Sequence, residues 1–139
     1  METLETSESN QSDGIVVVRP ASGTMFCQRL PYYVGISGST AGPKNISMNL
    51  IVIPPASAAE PHIHKGYEMA ICLLKGRVKT RYGRRLEQSI ICQEGDFILI
   101  RPDVPHQPIN LSTMEPALPI ESVVHYGGQA QTENRLKLD

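Results

Sequence analysis

Proline and glycine are spread along this chain so that no segment keeps a helical periodicity. The 139 residues include 11 prolines and 11 glycines, and both residue types interrupt helices and promote turns. The short segments between them are rich in β-branched side chains, a pattern typical of all-β proteins. It predicts strands in a sandwich or small barrel built from hairpins. The predicted strands are 14–18, 46–53, 67–82, 89–92, 97–100 and 122–126.

The length and composition indicate one domain with a core of aliphatic side chains. A chain of 139 residues leaves little room for a second domain. Hydrophobic residues make up 40% of the chain, but they include only two phenylalanines and no tryptophan. The opening segment, residues 1–14, is polar and acidic, so we expect it to be a disordered tail rather than a signal peptide.

The charge balance argues against nucleic acid and anionic membranes as partners. The formal net charge is −1 and the sequence pI is about 6.4, so the chain lacks the basic excess that such partners require. No apolar segment approaches the roughly 18 to 20 residues of a membrane-spanning helix. The three cysteines, Cys27, Cys72 and Cys92, are odd in number and widely spaced, which argues against a disulfide framework. We therefore expect a soluble protein in the reducing cytoplasm.

The predicted strand 67–82 has two faces of different character. Its odd-numbered side chains are apolar up to residue 73 and basic from residue 75 to residue 81. We expect the basic stretch to face solvent, since it lacks the interleaved aromatic residues that stack on bases. In an unbroken strand, the even-numbered side chains then face the core, and the same alternation places Glu68 inside. The apolar odd positions would face outward and require cover from the N-terminal strand or a second subunit.

A cluster of potential metal ligands precedes this strand. His62 and His64 lie two residues apart, so an extended backbone places both imidazoles on one face, and Glu68 has the same parity. A third imidazole can come from His106, which follows a turn rich in proline. Two or three imidazoles and a carboxylate are suitable ligands for iron, manganese, nickel, zinc or copper. An ionised carboxylate in the interior would need such a partner.

The region 55–110 resembles the two motifs of the cupin superfamily. The first motif reads Gly, five residues, His-x-His, three or four residues, Glu, six residues, Gly. The second reads Gly, five residues, Pro-x-Gly, two residues, His, three residues, Asn. The residues that carry the resemblance are His62, His64, Glu68, Gly76, Gly95, Pro102, His106 and Asn110. The chain departs from the motifs at two glycine positions, where Ala56 and Asp103 stand instead. Seven rather than six residues also lie between Glu68 and Gly76, and Pro102 comes one residue later than the second motif places its proline.

The resemblance implies an all-β cupin fold, a double-stranded β-helix or jelly-roll barrel, over residues 15–128. A polar extension, 129–139, would follow it. It also implies one divalent metal ion held by His62, His64, Glu68 and His106. Asn110 is expected to form hydrogen bonds in a turn or β-ladder rather than to bind metal. The resemblance is to small single-domain cupins, and cupins are commonly homodimers.

A fold shared by many activities does not select one of them. The first hypothesis is a metal-dependent enzyme for a small polar organic molecule, with dioxygenase-type oxidoreductase chemistry first and isomerase or lyase chemistry next. The alternative is a non-catalytic module that binds a small ligand or senses metal. His125, on the predicted strand 122–126, is the candidate catalytic proton carrier. The competing interpretation places His125 on the outer face or in an interface.

Overall fold

The computed structural model describes residues 8–12, 14–19, 25–27, 30–43, 45–124 and 134–135. The described residues form an all-β protein, as the turn-rich sequence predicts. Thirteen strands are present in these residues: β1 (Glu8–Ser12), β2 (Ile15–Arg19), β3 (Met25–Cys27), β4 (Leu30–Ile36), β5 (Ile46–Ile51), β6 (His62–Ile63), β7 (Met69–Lys75), β8 (Arg77–Tyr82), β9 (Gln88–Gln93), β10 (Phe97–Ile100), β11 (His106–Asn110), β12 (Leu118–Val124) and β13 (Asn134–Arg135).

Most strands belong to two antiparallel sheets. The six-stranded sheet has the order β10-β7-β12-β5-β4-β3, and the five-stranded sheet has the order β13-β6-β11-β8-β9. Strands β1 and β2 pair separately with each other. The two large sheets pack face to face, because buried residues of both contribute to one cluster that includes Leu30, Ile51 and Leu73 from the first sheet and Val78 and Cys92 from the second. The core is aliphatic, as the composition predicts.

The long predicted strand is broken at Gly76, which separates β7 from β8. Gly76 has a φ of +103° and lies outside both strands. The backbone turn changes which side chains face the core: Met69 and Leu73 are buried in β7, whereas Val78 is buried in β8. The predicted alternation through an unbroken strand is therefore wrong for β7. Glu68 and Ala70 are exposed, and the apolar odd positions of β7 belong to the core.

Several exposed apolar side chains lie on the outer face of the six-stranded sheet instead, while others lie on β2 and β9. Phe97 is 85% exposed and Leu99 53% exposed on β10, where they pair with Cys72 and Ala70 of β7. Further exposed apolar side chains on the neighbouring strands are Leu74 on β7, Val124 on β12, and Ile46 and Met48 on β5. On β8, Arg77 and Arg81 are exposed as predicted, and Lys79 is partly exposed.

Short strands lie in both segments that flank the predicted barrel domain. Within the segment expected to be a disordered tail, Glu8–Ser12 forms β1 and pairs along its length with the β-branched strand β2. Within the expected C-terminal extension, Asn134 and Arg135 form β13 and pair with Ile63 and His62 of β6. Among the described residues, no helix is long and apolar enough to cross a membrane.

Candidate metal centre

Three of the four histidines converge at one end of the barrel. His62 lies on β6 and pairs directly with His106, the first residue of β11. His64 follows in the loop after β6. The imidazole centroids of His62 and His106 are 4.2 Å apart, and the centroid of His64 lies 5.1 Å from that of His62 and 5.2 Å from that of His106. One ring nitrogen from each residue falls within 4.8 Å of the others, and all three side chains are buried.

Backbone carbonyl groups orient two of these imidazoles. The Nδ1 atom of His62 lies 2.7 Å from the carbonyl oxygen of Glu60, and the Nδ1 atom of His106 lies 2.8 Å from that of Val104. Because a carbonyl oxygen can only accept, each Nδ1 atom carries the proton and donates it. The Nε2 atom of each ring is then the atom with a free lone pair, which is the arrangement that metal-binding histidines use.

Asp103 connects the two segments that carry the histidines. Its backbone N–H donates to the carbonyl of His64 at 3.0 Å, and its side-chain Oδ1 accepts from the N–H of Gly66 at 3.1 Å. Asp103 has a φ of +64°, and Ala56 has a φ of +56°. These residues stand where the motifs have glycine, and both keep the left-handed backbone that glycine adopts easily. The departures from the motifs therefore leave the turn geometry intact.

Burial keeps the three imidazoles neutral. It lowers the pKa of His62 and of His64 from 6.5 to about 3, with repulsion from the neighbouring imidazoles acting in the same direction. Burial also lowers the pKa of His106, although its hydrogen bond to Val104 opposes the shift. Neutral imidazoles are the form that binds metal. The donor set is therefore ready to accept a cation at neutral pH without first losing protons.

The lowered pKa values predict that the metal-free protein becomes less stable in mild acid. In the unfolded chain, each histidine takes up a proton near pH 6.5, while His62 and His64 in the folded chain stay neutral down to about pH 3. The unfolded state thus binds more protons between these values, and stability falls as the pH falls. At pH 5.5 the two histidines together should contribute a loss of about 3 kcal/mol.

Urea unfolding of the metal-free protein at pH 7.5, 6.5 and 5.5 measures this loss. A variant with His62 and His64 both replaced by alanine should show a flatter dependence on pH over the same range. Equal free energies of unfolding for the wild type at pH 7.5 and 5.5 would contradict neutral, buried imidazoles.

A small cavity adjoins the cluster inside the barrel. His62 and His106 line it, together with mostly apolar side chains of both sheets. Its volume is about 40 Å³, and a single water molecule needs about 10–15 Å³ measured in this way. Two other polar side chains also line it, those of Thr80 on β8 and Glu121 on β12. The cavity therefore suits a ligand of only a few heavy atoms with at least one polar group.

The structure brings together three of the four predicted ligands. His62, His64 and His106 form the cluster, but Glu68 is exposed and lies outside it. The break at Gly76 is the physical reason, because it removes the alternation that was expected to turn Glu68 inward. His125, the predicted proton carrier, lies outside the described residues. Asn110 forms hydrogen bonds as expected: its Nδ2 group lies within 3.2 Å of three backbone carbonyl oxygens, and its Oδ1 atom accepts from Ser112.

Two cavity-lining residues that bear on the chemistry of the site, Met69 and Glu121, were not identified from the sequence. Met69 is 1% exposed and lines the cavity with His62 and His106. The motif spacing could have identified Met69. Four residues separate His64 from Met69 and six separate Met69 from Gly76, which are spacings that the first motif gives for its glutamate. No such spacing identifies Glu121. It lies far from the motifs in sequence and reaches the cavity only through the pairing of β12 with β7, where it is opposite Ile71.

Comparison with known proteins supports the likeness seen in the sequence. The family model of the cupin domain matches residues 49–120. No protein in a curated collection matches the chain.

Solved structures show the same fold. An oxalate decarboxylase from Lactobacillus farciminis, in a complex with formate, superposes with a TM-score of 0.64 at 19% identity, over 77% of this chain but only 31% of that one. A cupin 2 conserved barrel domain protein from Salinispora arenicola gives a TM-score of 0.61 at 17% identity, over 73% and 81% of the two chains. KdgF from Halomonas sp. gives 0.57 at 10% identity, over 68% and 77%. Identities this low describe a shared fold and leave the activity open.

Proposed function

Because the chain belongs to the cupin domain family, we propose that it is a metal-dependent enzyme acting on a small, carboxylate-bearing molecule. The observation that carries the proposal is the convergence of three buried, neutral imidazoles beside a small cavity that also holds one carboxylate side chain. The imidazoles are those of His62, His64 and His106. The carboxylate side chain is that of Glu121.

The three imidazoles fit a divalent cation by their chemistry. They are neutral, buried and close together, and two of them have a fixed tautomer. Iron, manganese, nickel, zinc and copper all accept such nitrogen ligands. When bound, the cation supplies a Lewis acid that polarises a carbonyl or carboxylate group and, for a redox-active metal, a site for dioxygen.

The charge of the site favours an anionic substrate. Among the described residues, no carboxylate or thiolate joins the three imidazoles in the cluster, so the ligands themselves carry no negative charge, and Glu121 lines the cavity without belonging to the cluster. A carboxylate group of the substrate would compensate the charge of a divalent cation, and it has the oxygen donors that such cations accept. The small cavity limits the substrate to a few heavy atoms. The oxalate decarboxylase with the same fold makes oxalate a reasonable first compound to test.

Glu121 is the proposed proton carrier within the cavity. Its side chain lines the same cavity as His62 and His106, and it lies on β12 between Asn49 of β5 and Ile71 of β7. The surrounding wall is mostly apolar, so a protein group is the favoured donor or acceptor for proton transfer there. Thr80 adds a hydroxyl group that can orient a polar ligand. His125 stays a second candidate for the same role.

A substrate panel tests this proposal. The protein is loaded separately with iron, manganese, nickel, copper and zinc and incubated with oxalate, malonate and pyruvate, while oxygen consumption and carbon-13 spectra are recorded. Turnover that consumes oxygen indicates the oxidoreductase that we consider first, and carbon–carbon cleavage without oxygen uptake indicates a lyase. Glu121→Gln should lower the rate by about 100-fold or more with unchanged metal content.

The matched control is Glu94→Gln, because Glu94 is an exposed carboxylate in the turn between β9 and β10. It should retain the wild-type rate. Tight binding of a carboxylate without any turnover would support the alternative, a non-catalytic ligand-binding module. An unchanged rate for Glu121→Gln would remove Glu121 from the mechanism.

We also propose that the protein forms a homodimer through the outer face of the six-stranded sheet. Phe97, Leu99 and Leu74 on two adjacent strands leave large apolar surfaces exposed there. Contiguous exposed apolar side chains of this kind mark interaction surfaces in soluble proteins. A twofold arrangement would bury the same surface on both copies.

A further inference from the structure

The residue that takes the inward position beside the imidazoles is Met69. Glu68 and Met69 both satisfy the motif spacing after His64, but only one can face the core because neighbouring side chains on a strand point to opposite faces. Met69 is 1% exposed, whereas Glu68 is exposed. Six residues separate Met69 from Gly76, as the motif requires before its closing glycine. A thioether therefore occupies the place that the motif assigns to a carboxylate.

Met69 lines the same cavity as two of the three histidines. It is the first residue of β7 and pairs with Ile100 on one side and Val123 on the other. It packs with Tyr67, whose ring centroid lies 5.4 Å from that of His64. The two histidines that line the cavity are His62 and His106. Met69 thus shares its cavity with two histidines of the cluster and belongs to a packing cluster whose Tyr67 contacts the third.

The exchange of a carboxylate for a thioether changes which cations the site prefers. A carboxylate is a hard, charged ligand that suits manganese, whereas thioether sulfur is soft and selects Cu(I). The exchange also removes a negative charge. This loss weakens the binding of a doubly charged cation more than that of a singly charged one. Both effects act in the same direction.

We propose that the sulfur of Met69 is the fourth ligand of this centre and biases it towards copper. The inference rests on the metal site of the proposed function and adds the identity of the fourth donor and the class of metal. A second sulfur, that of Cys92, lines the cavity as well. Burial and the Asp96 carboxylate raise the pKa of the Cys92 thiol, which keeps it protonated and a poor ligand.

X-ray absorption at the copper edge tests the fourth donor directly. The full-length protein loaded with Cu(I) should show nitrogen scatterers and one sulfur scatterer. Met69→Leu, which nearly conserves side-chain volume, should lose the sulfur and keep the nitrogens. Cys92→Ala is the matched control and should keep the sulfur. A wild-type spectrum without sulfur, or a sulfur signal that survives Met69→Leu and disappears in Cys92→Ala, would overturn the assignment.

Competition with chromophoric chelators tests the metal preference without any assay of activity. Met69→Leu should weaken Cu(I) binding about tenfold or more while changing Zn(II) binding less, because the soft donor matters most to copper. Met69→Glu should strengthen Mn(II) binding and weaken Cu(I) binding, provided that circular dichroism shows it folded. Equal losses for Cu(I) and Zn(II) in Met69→Leu would contradict the proposal.

These experiments separate the two proposals. A wild-type protein that binds none of the metals refutes the metal site itself and with it the proposed function. A protein that binds metal through nitrogen alone leaves the three-histidine site standing and refutes only the role of Met69.

Discussion

Replacing His62 and His64 together by alanine is expected to abolish metal binding. The wild type, purified without an affinity tag, should contain about one metal ion per chain, because its three imidazoles are neutral and already close together. The variant keeps only His106 of the three histidines, and a single imidazole binds a metal ion too weakly to retain it during purification. Metal content is measured by mass spectrometry, and we expect a decrease from near one to near zero.

Thermal unfolding provides a second measurement of the same loss. A metal that binds only the folded state stabilises it by about 2.7 kcal/mol at a free concentration of 100 times its dissociation constant. Added metal should therefore raise the melting temperature of the wild type and leave that of the double variant unchanged.

Glu68→Gln is the matched control, because it tests the ligand that the sequence predicts and the structure leaves exposed. It should bind metal as the wild type does. Loss of metal from Glu68→Gln would show that this carboxylate joins the site after all. A wild type that stays empty after reconstitution with each metal would refute the centre.

Gly76→Ala is expected to destabilise the protein severely. A Cβ atom at this position would lie 2.9 Å from the Cβ atom of Ala117 and 3.0 Å from its Cα atom. Ala117 is fully buried and exchanges two backbone hydrogen bonds of 2.9 Å with Ile53, so it has little freedom to move. Overpacking of this kind costs about 1–3 kcal/mol, and the positive φ of +103° adds about 1–3 kcal/mol for a non-glycine residue.

Gly95→Ala separates these two contributions. Gly95 has a φ of +91°, similar to that of Gly76, but nothing lies within 4 Å of a Cβ atom built on it. Its variant should therefore show the conformational cost without the clash. Urea unfolding of both variants measures the difference, and we expect Gly76→Ala to lose at least 1 kcal/mol more than Gly95→Ala. Equal losses would mean that β7, β8 and Ala117 can shift to accept a methyl group.

The strands β2, β5, β9 and β10 and the convergence of the three histidines were predictable because they depend on local sequence, whereas β4 and β11 were not among the predicted strands. Turn residues mark where strands end, and β-branched segments between them form strands. His62 and His64 were expected on the same face because side chains two residues apart in an extended backbone point the same way. His106 follows a proline-containing turn that fixes where β11 begins.

The position of Glu68 was not predictable in the same way, because it depended on whether a strand of sixteen residues stays regular. Gly76 signals a possible break, but the sequence does not say whether the alternation of side chains shifts there. The close approach of Gly76 to Ala117 explains the break, and that contact joins residues 41 positions apart. Glu121 was missed for a related reason, since only the pairing of β12 with β5 and β7 turns it towards the cavity.

The hydrogen bonds around the cluster have a consequence for protein engineering. Glu60 and Val104 orient imidazoles only two residues away along the chain, and Asp103 joins the two segments through His64 and Gly66. Almost all of the orienting groups thus lie within residues 60–66 and 103–106. These two peptides should be transplantable as a pair onto neighbouring antiparallel strands of an unrelated barrel, carrying their ring orientations with them.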